Sequence, residues 1–425
     1  MRVMVVDATH GGTTLAEEFW ARGDEVTCVD VYGTLPKRNL EEYSRKFEVR
    51  RELPEPSRYD LIVKPIHFPS DPFRGVWERV ITHHEAVRLL LSHRVKFPVV
   101  EITGSFGKTT SALCAISLLR ERFSILSLTS RGICLHDHEG KKILLDRVST
   151  TPANIIRAVR LAGQEPDLAI FEVSLGGTGL ADLGIIKNVY DDYPIAKGTS
   201  SAREAKLSMV KNRKEGSTVL VNADDEKLSG LTGVQFFSPS GRDVEVKAAE
   251  TKVRADGVEF TAVLEGFKSR RGHISGTKRV RSTGPVGKQQ VENMLVGVAI
   301  ASYFRWEEGE VELGPEPFGE KMVLVSSEPP RVLNKSPSLG AKSIQASIRD
   351  YLELFPPIRL EVGGKLRTTC GPVVLEEVAD VIRSSPFREI FLFGEFGDAL
   401  RPLLREKRVV ENPGGAIPAL ILERA

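Results

Sequence analysis

The stretch EITGSFGKTT, at Glu101–Thr110, decides how this chain folds. A predicted strand over Phe97–Thr103 leads into its glycines and a predicted helix over Ser111–Arg122 follows them, so the glycines fall in a strand-to-helix turn. In such a turn, backbone N–H groups point at phosphate oxygens and the helix N-terminus adds a partial positive charge. The stretch therefore predicts a phosphate-binding loop of these residues: Gly104, Ser105, Phe106, Gly107, Lys108, Thr109 and Thr110.

Lys108 and Thr109 give the predicted loop its chemistry. The lysine ammonium reaches the outer phosphates of a nucleotide, and the threonine hydroxyl is a ligand for Mg²⁺. The spacing is shorter than in the usual G-x-x-x-x-G-K-[ST] loop, because Ile102 stands in place of a glycine and Gly104 lies closer to Gly107. An ordinary turn that happens to contain GKTT is the alternative, and the strand before it and the helix after it favour the loop.

Composition excludes several classes of protein. The chain has 425 residues, a length that predicts more than one domain, and 41% of them are hydrophobic. Lys and Arg number 59 against 57 Asp and Glu, a balance that argues against nucleic acid as a partner. We find no apolar run long enough to span a membrane and no signal-peptide layout at the N-terminus, so we expect a cytoplasmic protein.

The spacing of histidines and cysteines in the sequence does not indicate a metal site or a disulfide framework. The pair His83-His84 has no acid or cysteine at ligand spacing, so we expect packed or exposed side chains there, and no cluster of nickel ligands is apparent. The cysteines lack C-x-x-C spacing, which argues against a disulfide scaffold or a cysteine-based zinc site. They are Cys28, Cys114, Cys134 and Cys370.

Strand and helix patterns alternate along the chain and predict an α/β protein. Residues 1–93 open as a doubly wound domain, although they lack the G-x-G-x-x-G motif of NAD sites, and they include a predicted helix over Trp77–Ser92. Residues 94–313 hold the phosphate loop, and a polar–apolar alternation over 244–282 predicts a small antiparallel patch. Residues 314–425 alternate again and form a third predicted domain.

The motif T-G-x-x-G-K-T-T resembles the phosphate loop of the Mur ligase family, ATP-dependent carboxylate ligases that include folylpolyglutamate synthase. The resemblance covers nearly the whole chain. It implies a Rossmann-like N-terminal domain that binds substrate, a central P-loop ATPase domain and a Rossmann-like C-terminal domain that closes over ATP. The implied cofactors are ATP and Mg²⁺. In the implied reaction a carboxylate is phosphorylated and a nucleophile attacks the resulting acyl phosphate.

The resemblance also implies roles for acidic and basic residues after the loop. Glu172 ends a predicted strand and matches a Mg²⁺ position of the family, where a carboxylate suits a hard cation. Asp192 lies in NVYDDY, in which Tyr193 stands where the family usually has a metal-binding His. Lys206 matches a lysine that many Mur ligases carbamylate to hold a second Mg²⁺, and a plain surface lysine is the alternative.

Further ATP contacts are implied in three segments. The segment NADD, from Asn222, matches the family pattern N-x-D-D, and Gln289 and Gln290 replace the first two polar residues of the adenine-binding helix. Lys335, in the N-K-x-P segment of the third domain, would lie against ATP and the acyl phosphate. The implied ATP contacts of these segments are Asn222, Asp224, Asn293 and Asn334.

The opening sequence VVDATHGG is unlike the glycine-rich opening of the peptidoglycan ligases. With the segment from Phe171 to Asp182, it resembles the methanogen branch of the family that completes coenzyme F-430. The implied substrate is a carboxylate-rich nickel tetrapyrrole contacted by His10, Gly11 and Gly12, on which a carbon–carbon bond closes a ring. We expect a monomer or small homo-oligomer. Two alternatives stay open: an amide ligase of archaeal pseudomurein synthesis, and a nucleotide-binding subunit of an amidotransferase complex.

Overall fold

A computed structural model of the protein describes residues 1–190, 192–368, 373–404, 409–411 and 417–425. The chain packs into two compact units, the first made of residues 1–112 and 119–235 and the second of residues 113–118 and 236–425. In the described part of the chain, no helix is both long and apolar enough to cross a membrane.

The first unit begins with a parallel sheet. Its elements are β1 (Arg2–Val6), α1 (Thr13–Ala21), β2 (Glu25–Val29), α2 (Lys37–Ser44), β3 (Glu48–Arg50), β4 (Leu61–Lys64), β5 (Val80–Thr82) and α3 (His83–Leu91). The strand order is β3-β2-β1-β4-β5, and every neighbouring pair is parallel. A doubly wound opening was predicted, and this sheet has that form.

The predicted helix over Trp77–Ser92 is wrong in its first third. A short 3₁₀ turn and β5 occupy residues 77–82, and α3 begins only at His83. Thr82 caps this helix, because its hydroxyl accepts from the amide of Glu85 while the Glu85 carboxylate accepts from the amide of Thr82. The pairing of β5 with β4 is a tertiary contact that periodicity within one segment does not reveal.

A second sheet carries the phosphate loop; its elements lie in the first unit except for residues 113–118 of helix α4, which belong to the second. Its elements are β6 (Val99–Thr103), α4 (Lys108–Leu119), β7 (Ile125–Thr129), β8 (Gly132–Asp137), β9 (Gly140–Asp146), α5 (Ala153–Ala162), β10 (Leu168–Glu172), β11 (Leu183–Ile186), β12 (Pro194–Ile195), β13 (Ser200–Ser201), α6 (Ala202–Lys211) and β14 (Thr218–Asn222). Strands β14, β11, β6, β10 and β7 form a parallel row in that order. Strands β8 and β9 continue from β7 as antiparallel neighbours.

One hydrophobic core joins the helices of these two sheets. It includes Leu15 and Phe19 of α1, Leu90 of α3 and Ile155 of α5, all of them buried. Burial of such side chains stabilises by about 1.5–3 kcal/mol each, enough to fix both sheets against one another. The carboxyl edges of both parallel rows therefore lie in one packed body.

The second unit contains the predicted antiparallel patch and a further α/β sheet. Its elements are β15 (Gln235–Ser238), β16 (Val246–Arg254), β17 (Gly257–Ser269), β18 (Gly272–Thr283), α7 (Lys288–Phe304), β19 (Gly309–Leu313), β20 (Lys321–Ser327), β21 (Pro330–Lys335), α8 (Ala341–Leu352), β22 (Arg359–Gly364), α9 (Leu375–Ser384), β23 (Glu389–Phe393), α10 (Gly394–Leu400), β24 (Val409–Val410) and β25 (Ala419–Arg424). Strands β16, β17 and β18 pair antiparallel, as the alternation predicts. The last sheet has the order β20-β21-β25-β22-β23-β24 and is parallel except at β20.

Candidate active site

The polar residues of the candidate site follow neighbouring strands of one parallel row. The carboxyl ends of parallel strands meet at one edge of a sheet, where α/β proteins bind their ligands. Ser130 follows β7, Glu172 ends β10, Gly104 follows β6, Asn188 follows β11 and Asn222 ends β14. The topology therefore gathers segments that are far apart in sequence.

Asn188 holds the first half of the phosphate loop. Its side-chain oxygen accepts from the amides of Ser105 at 2.8 Å and Phe106 at 3.2 Å. These two amides are therefore turned toward Asn188. Helix α4 begins at Lys108, three residues earlier than predicted, and the amides of a first helical turn have no intrahelical acceptor. The amides that could bind an anion are therefore those at the start of α4.

Glycine is required at the first position of this loop. Gly104 has φ +154°, and a Cβ there would lie 2.9 Å from the Cβ of Lys187. Such a contact is closer than van der Waals packing allows, so any side chain at this position displaces the loop or the strand end beside it.

Oxygen atoms of three side chains gather around Thr109. The threonine hydroxyl donates to Oε2 of Glu172 at 2.7 Å and lies 3.1 Å from the hydroxyl of Ser130. The Lys108 ammonium lies 3.7 Å from Oε1 of the same glutamate and donates to the Gly104 carbonyl at 3.0 Å. Carboxylate and hydroxyl oxygens are the ligands that Mg²⁺ prefers, and the adjacent ammonium suits phosphate, so this set fits a Mg²⁺–nucleotide.

Lys206 is buried on α6, whereas Asp192 is exposed nearby. The lysine has 4% of its surface accessible, and its ammonium lies 5.9 Å from the centre of the Tyr193 ring. Asp192 accepts from the amide of Arg203 at 3.0 Å. Desolvation works to raise the pKa of Asp192, but hydrogen bonds from Arg203 and Ser201 outweigh it and lower the pKa below its ordinary value.

The segment after β14 folds back on the segment after β11. Asn222 is fully buried, and its side-chain oxygen accepts from the amide of Asp224 at 2.9 Å. The next residue, Asp225, accepts from the amide of Val189 at 2.7 Å. Asp225 thereby fixes the strand end that carries Asn188.

The remaining predicted contacts lie in the second unit. Asn293 donates to Gln290 at 2.9 Å, and Gln290 donates to the Lys321 carbonyl at 3.1 Å, so the glutamine orients the asparagine. Asn334 is buried and donates to the Ser347 hydroxyl at 2.8 Å. Lys335 pairs with Glu423 at 3.0 Å, a contact that raises the pKa of the lysine.

His10, Gly11 and Gly12 form a tight turn after β1, and both glycines have packing reasons of their own. A Cβ on Gly11 would lie 2.6 Å from the Cβ of Ala153, and one on Gly12 would lie 2.1 Å from the Asp7 carbonyl oxygen. Nδ1 of the His10 ring donates to Oδ2 of the Asp7 carboxylate at 2.6 Å. This contact raises the pKa of His10. Burial works to raise the pKa of Asp7, but the neighbouring groups of His10 and His67 together outweigh it and hold this pKa well below its usual range.

The structure also brings together residues that sequence reasoning did not connect. Asp7, His10 and His67 offer ligand atoms that lie within 4.8 Å of one another, a grouping that the spacing of these residues in the sequence does not reveal. Their only advance signal is that each follows a predicted strand. The pair His83-His84 is packed, as expected, with ring nitrogens 3.0 Å from the Val6 carbonyl and 2.8 Å from the Ser174 carbonyl. Asp191 and Cys370, named from the sequence, lie outside the described residues.

Two curated relatives are similar to the chain, and both are named coenzyme F(430) synthetase. The first, from Methanosarcina acetivorans, is 39% identical over 240 residues, which cover 53% of this chain and 51% of the relative. The second, from Methanocaldococcus jannaschii, is 25% identical over 413 residues, which cover 94% of this chain and 92% of the relative. The matched region thus spans about half the length of the first relative and nearly all of the second. No protein-family model matches the chain.

Solved structures of ligases share the fold. MurF from Acinetobacter baumannii has a TM-score of 0.56 at 13% identity, over 99% of this chain and 90% of that one. MurF ligase from Thermotoga maritima in complex with ADP has a TM-score of 0.55 at 12% identity, over 94% and 91% of the two chains. These likenesses confirm the predicted fold class, an α/β protein of the Mur ligase architecture. The boundaries at 93/94 and 313/314 stay predictions.

Proposed function

We propose that the chain belongs to the Mur ligase family and that it uses ATP and Mg²⁺ to activate a carboxylate as an acyl phosphate. The observation that carries this proposal is the contact of the Thr109 hydroxyl with Glu172 beside Lys108. These are the groups that a Mg²⁺–nucleotide needs at the end of a parallel strand row. A bound Mg²⁺ would supply electrostatic stabilisation of the phosphate oxygens.

The roles of the loop residues follow from their charge and position. Phosphoryl transfer depends mostly on positioning and electrostatics, and Lys108 neutralises charge on the moving phosphoryl group. Thr109 and Glu172 would hold the metal, and the amides at the start of α4 would bind phosphate oxygens. The remaining proposed ATP contacts are Gly104, Ser105, Phe106, Gly107, Thr110, Asn222, Asp224, Asn293 and Asn334.

A second metal position is proposed near Lys206. If its amine is carbamylated, the buried cation becomes an anion with oxygen ligands, which Asp192 then complements. The Tyr193 ring lies beside the lysine, so it excludes water on one side without offering the imidazole nitrogen of other family members. Lys335 is proposed to act on the acyl phosphate from the C-terminal domain.

The proposed substrate is a nickel seco-tetrapyrrole acid, and the proposed enzyme is a coenzyme F-430 synthase. Two relatives with the printed name coenzyme F(430) synthetase support this choice. A propionate carboxylate attacks the γ-phosphorus of ATP and ADP leaves. A carbon atom of the same molecule then attacks the acyl carbon and loses its proton, and phosphate leaves as the ring closes. His10, Gly11 and Gly12 are proposed to contact this substrate.

Phosphate release tests the proposal. Wild-type protein with ATP and Mg²⁺ should release phosphate when the nickel seco-tetrapyrrole acid is added, with a shift in the visible spectrum of the tetrapyrrole. Lys108→Ala should lower the rate about a thousandfold, since a charge that stabilises the transferring phosphoryl group is lost. Lys142→Ala is the matched control, because Lys142 is an exposed lysine of β9.

Other acceptors separate the proposed reaction from its rivals. Turnover with an amino acid and silence with the tetrapyrrole would replace the synthase with an amide ligase. Turnover by the chain alone counts against a subunit that needs an amidotransferase partner. Equal rates in Lys108→Ala and Lys142→Ala would remove the phosphate loop from the reaction altogether.

A further inference from the structure

Two imidazoles converge on one carboxylate at the edge of the first sheet. Asp7 directly follows β1, and its Oδ2 lies 2.6 Å from Nδ1 of His10 and 3.4 Å from Nε2 of His67. The side chain of Asp7 is fully buried. Its other oxygen, Oδ1, accepts from the amides of Thr9 at 2.9 Å and His10 at 3.2 Å, which fixes the direction in which Oδ2 points.

Hydrogen bonds within the cluster leave one ring nitrogen of His67 unsatisfied. Within the described part of the chain, Nε2 of this imidazole is buried without a hydrogen-bond partner, since the approach to Asp7 is close but poorly aligned. A buried polar atom left in this state costs about 1–3 kcal/mol. The atom faces the same carboxylate oxygen as His10, and the ligand atoms of all three residues lie within 4.8 Å of one another.

The turn that carries the cluster holds Asp7 in a strained backbone conformation. Asp7 has φ +71° and ψ +85°, a left-handed conformation that is unfavourable for a residue other than glycine. Gly12 packs against the Asp7 carbonyl so closely that no Cβ fits. The backbone around Asp7 is thus fixed, and an aspartate held rigidly between two histidines is a preorganised ligand set.

Hydrogen bonds connect the region of the cluster to segments that carry candidate site residues. His67 accepts through its carbonyl from the amide of Ala196 at 3.0 Å, in the segment that leads to α6. His84, on the neighbouring helix, contacts the carbonyl of Ser174, two residues beyond Glu172. The half-exposed His10 ring, with 49% of its side chain accessible, leaves the cluster open toward solvent.

We propose that Asp7, His10 and His67 bind a late first-row divalent metal ion, such as Ni²⁺ or Zn²⁺. Two imidazoles with one carboxylate select these ions over Mg²⁺, which prefers oxygen ligands. Ligand atoms about 2.0–2.2 Å from an ion lie roughly 3 Å apart, so small side-chain rotations suffice. Three protein ligands on one ion require a free aqueous ion, because an ion held in a tetrapyrrole offers each face a single axial position.

Metal titration tests this site without ATP or tetrapyrrole, so its result is separate from that of the ligase proposal. Full-length untagged protein, stripped with a chelator and kept in excess Mg²⁺, is titrated calorimetrically with Ni²⁺ and with Zn²⁺. One ion should bind per chain. His10→Asn and His67→Asn should each weaken binding by at least about tenfold, given what loss of even an outer-sphere partner costs. Circular dichroism checks that both variants fold.

Two further variants make the outcome decisive. Asp7→Asn should abolish metal binding. Because Asp7 also caps the turn, this variant could lose binding through misfolding. His10→Asn changes a half-exposed residue, so it is the variant that separates loss of a ligand from loss of the fold. His138→Asn, at an exposed histidine outside the cluster, should bind metal as the wild type does. Absence of binding in the wild type overturns the proposal, as does equal binding in His10→Asn and His138→Asn.

Discussion

Asn188 shows at the level of one residue how the phosphate loop is held in shape. Its carboxamide accepts from the amides of Ser105 and Phe106 and donates to the Phe106 carbonyl at 3.3 Å. The residue is fully buried, so water does not replace these bonds when the side chain is removed. The Phe106 ring also stacks on Tyr190, with ring centres 5.3 Å apart.

We predict that Asn188→Ala weakens ATP binding more than it slows chemistry. The loop amides lose their acceptor, so KM for ATP should rise about tenfold while kcat changes little, and stability should fall by about 1–3 kcal/mol. Asn154→Ala is the control, since Asn154 is a buried asparagine that donates to the Ser149 carbonyl at 2.7 Å, away from the loop. It should lose stability without a change in KM. Equal KM values in both variants would show that the loop does not need Asn188.

At the level of secondary structure, the local sequence pattern predicts a helix or strand correctly where the residues of that element determine its conformation. The strand before the phosphate loop lies within its predicted range, and strands β16, β17 and β18 form the antiparallel patch that the alternation predicts. The hairpin of β8 and β9 went unpredicted, although Asp137 accepts from the amides of Glu139 and Gly140 in a turn that its sequence permits. The helix expected at Trp77 failed because pairing with β4 fixes residues 80–82 instead.

The same contrast between local sequence pattern and tertiary contacts separates the predicted from the unpredicted residues of the candidate site. Lys108, Thr109 and Glu172 were predicted, because each has a local signature and strand ends meet at one edge. The sequence did not predict a place in a site for Ser130, Asn188 and His67. The order of the strands in the sheets brings these residues to their positions. Strand order is decided by long-range packing, which one sequence read alone does not contain.

The loop after β10 determines where helix α6 lies. Gly176 has φ +125°, and a Cβ there would lie 2.6 Å from the Ala205 carbonyl and 2.7 Å from the Ser208 hydroxyl, both on α6. We therefore predict that Gly176→Ala displaces the helix that carries Lys206. Turnover should fall by at least about tenfold, because misplacement of a catalytic group by about 1 Å is enough for such losses.

A control variant at a second glycine distinguishes the effect of displacing α6 from the effect of backbone strain alone. Gly163 also has a left-handed φ of +70°, but the nearest atom to an added Cβ is 4.0 Å away. Gly163→Ala should therefore lower stability by about 1 kcal/mol and leave turnover unchanged, as measured by urea unfolding and phosphate release. If both variants turn over equally, the position of α6 does not limit the reaction.

At the level of the whole molecule, buried ionisable groups make stability depend on pH. Glu101 is fully buried and accepts from the Thr178 amide at 2.8 Å and from the Thr178 hydroxyl. Desolvation dominates these bonds and raises the pKa of Glu101 from 4.5 to about 7. Buried His83 and His136 behave in the opposite sense, since desolvation lowers the pKa of each to about 4.

The sign of the Glu101 contribution follows from proton binding. Between pH 4.5 and about 7 the native carboxyl keeps a proton that the unfolded chain has released, so the free energy of unfolding falls as pH rises through this window. The total loss is on the order of 3 kcal/mol. Glu101→Gln stays neutral at every pH, so this part of the slope should vanish in the variant.

Urea unfolding at about pH 5 and about pH 8 measures the effect. The histidine contributions are common to both proteins and cancel when the change in unfolding free energy of Glu101→Gln is subtracted from that of the wild type. The wild type should lose more stability than the variant between the two pH values, whereas Glu139→Gln, at an exposed position, should follow the wild type. A variant with the full wild-type slope would mean that Glu101 is already ionised in the native protein. The strand that leads into the phosphate loop would then carry a buried charge, stabilised by the hydrogen bonds from Thr178.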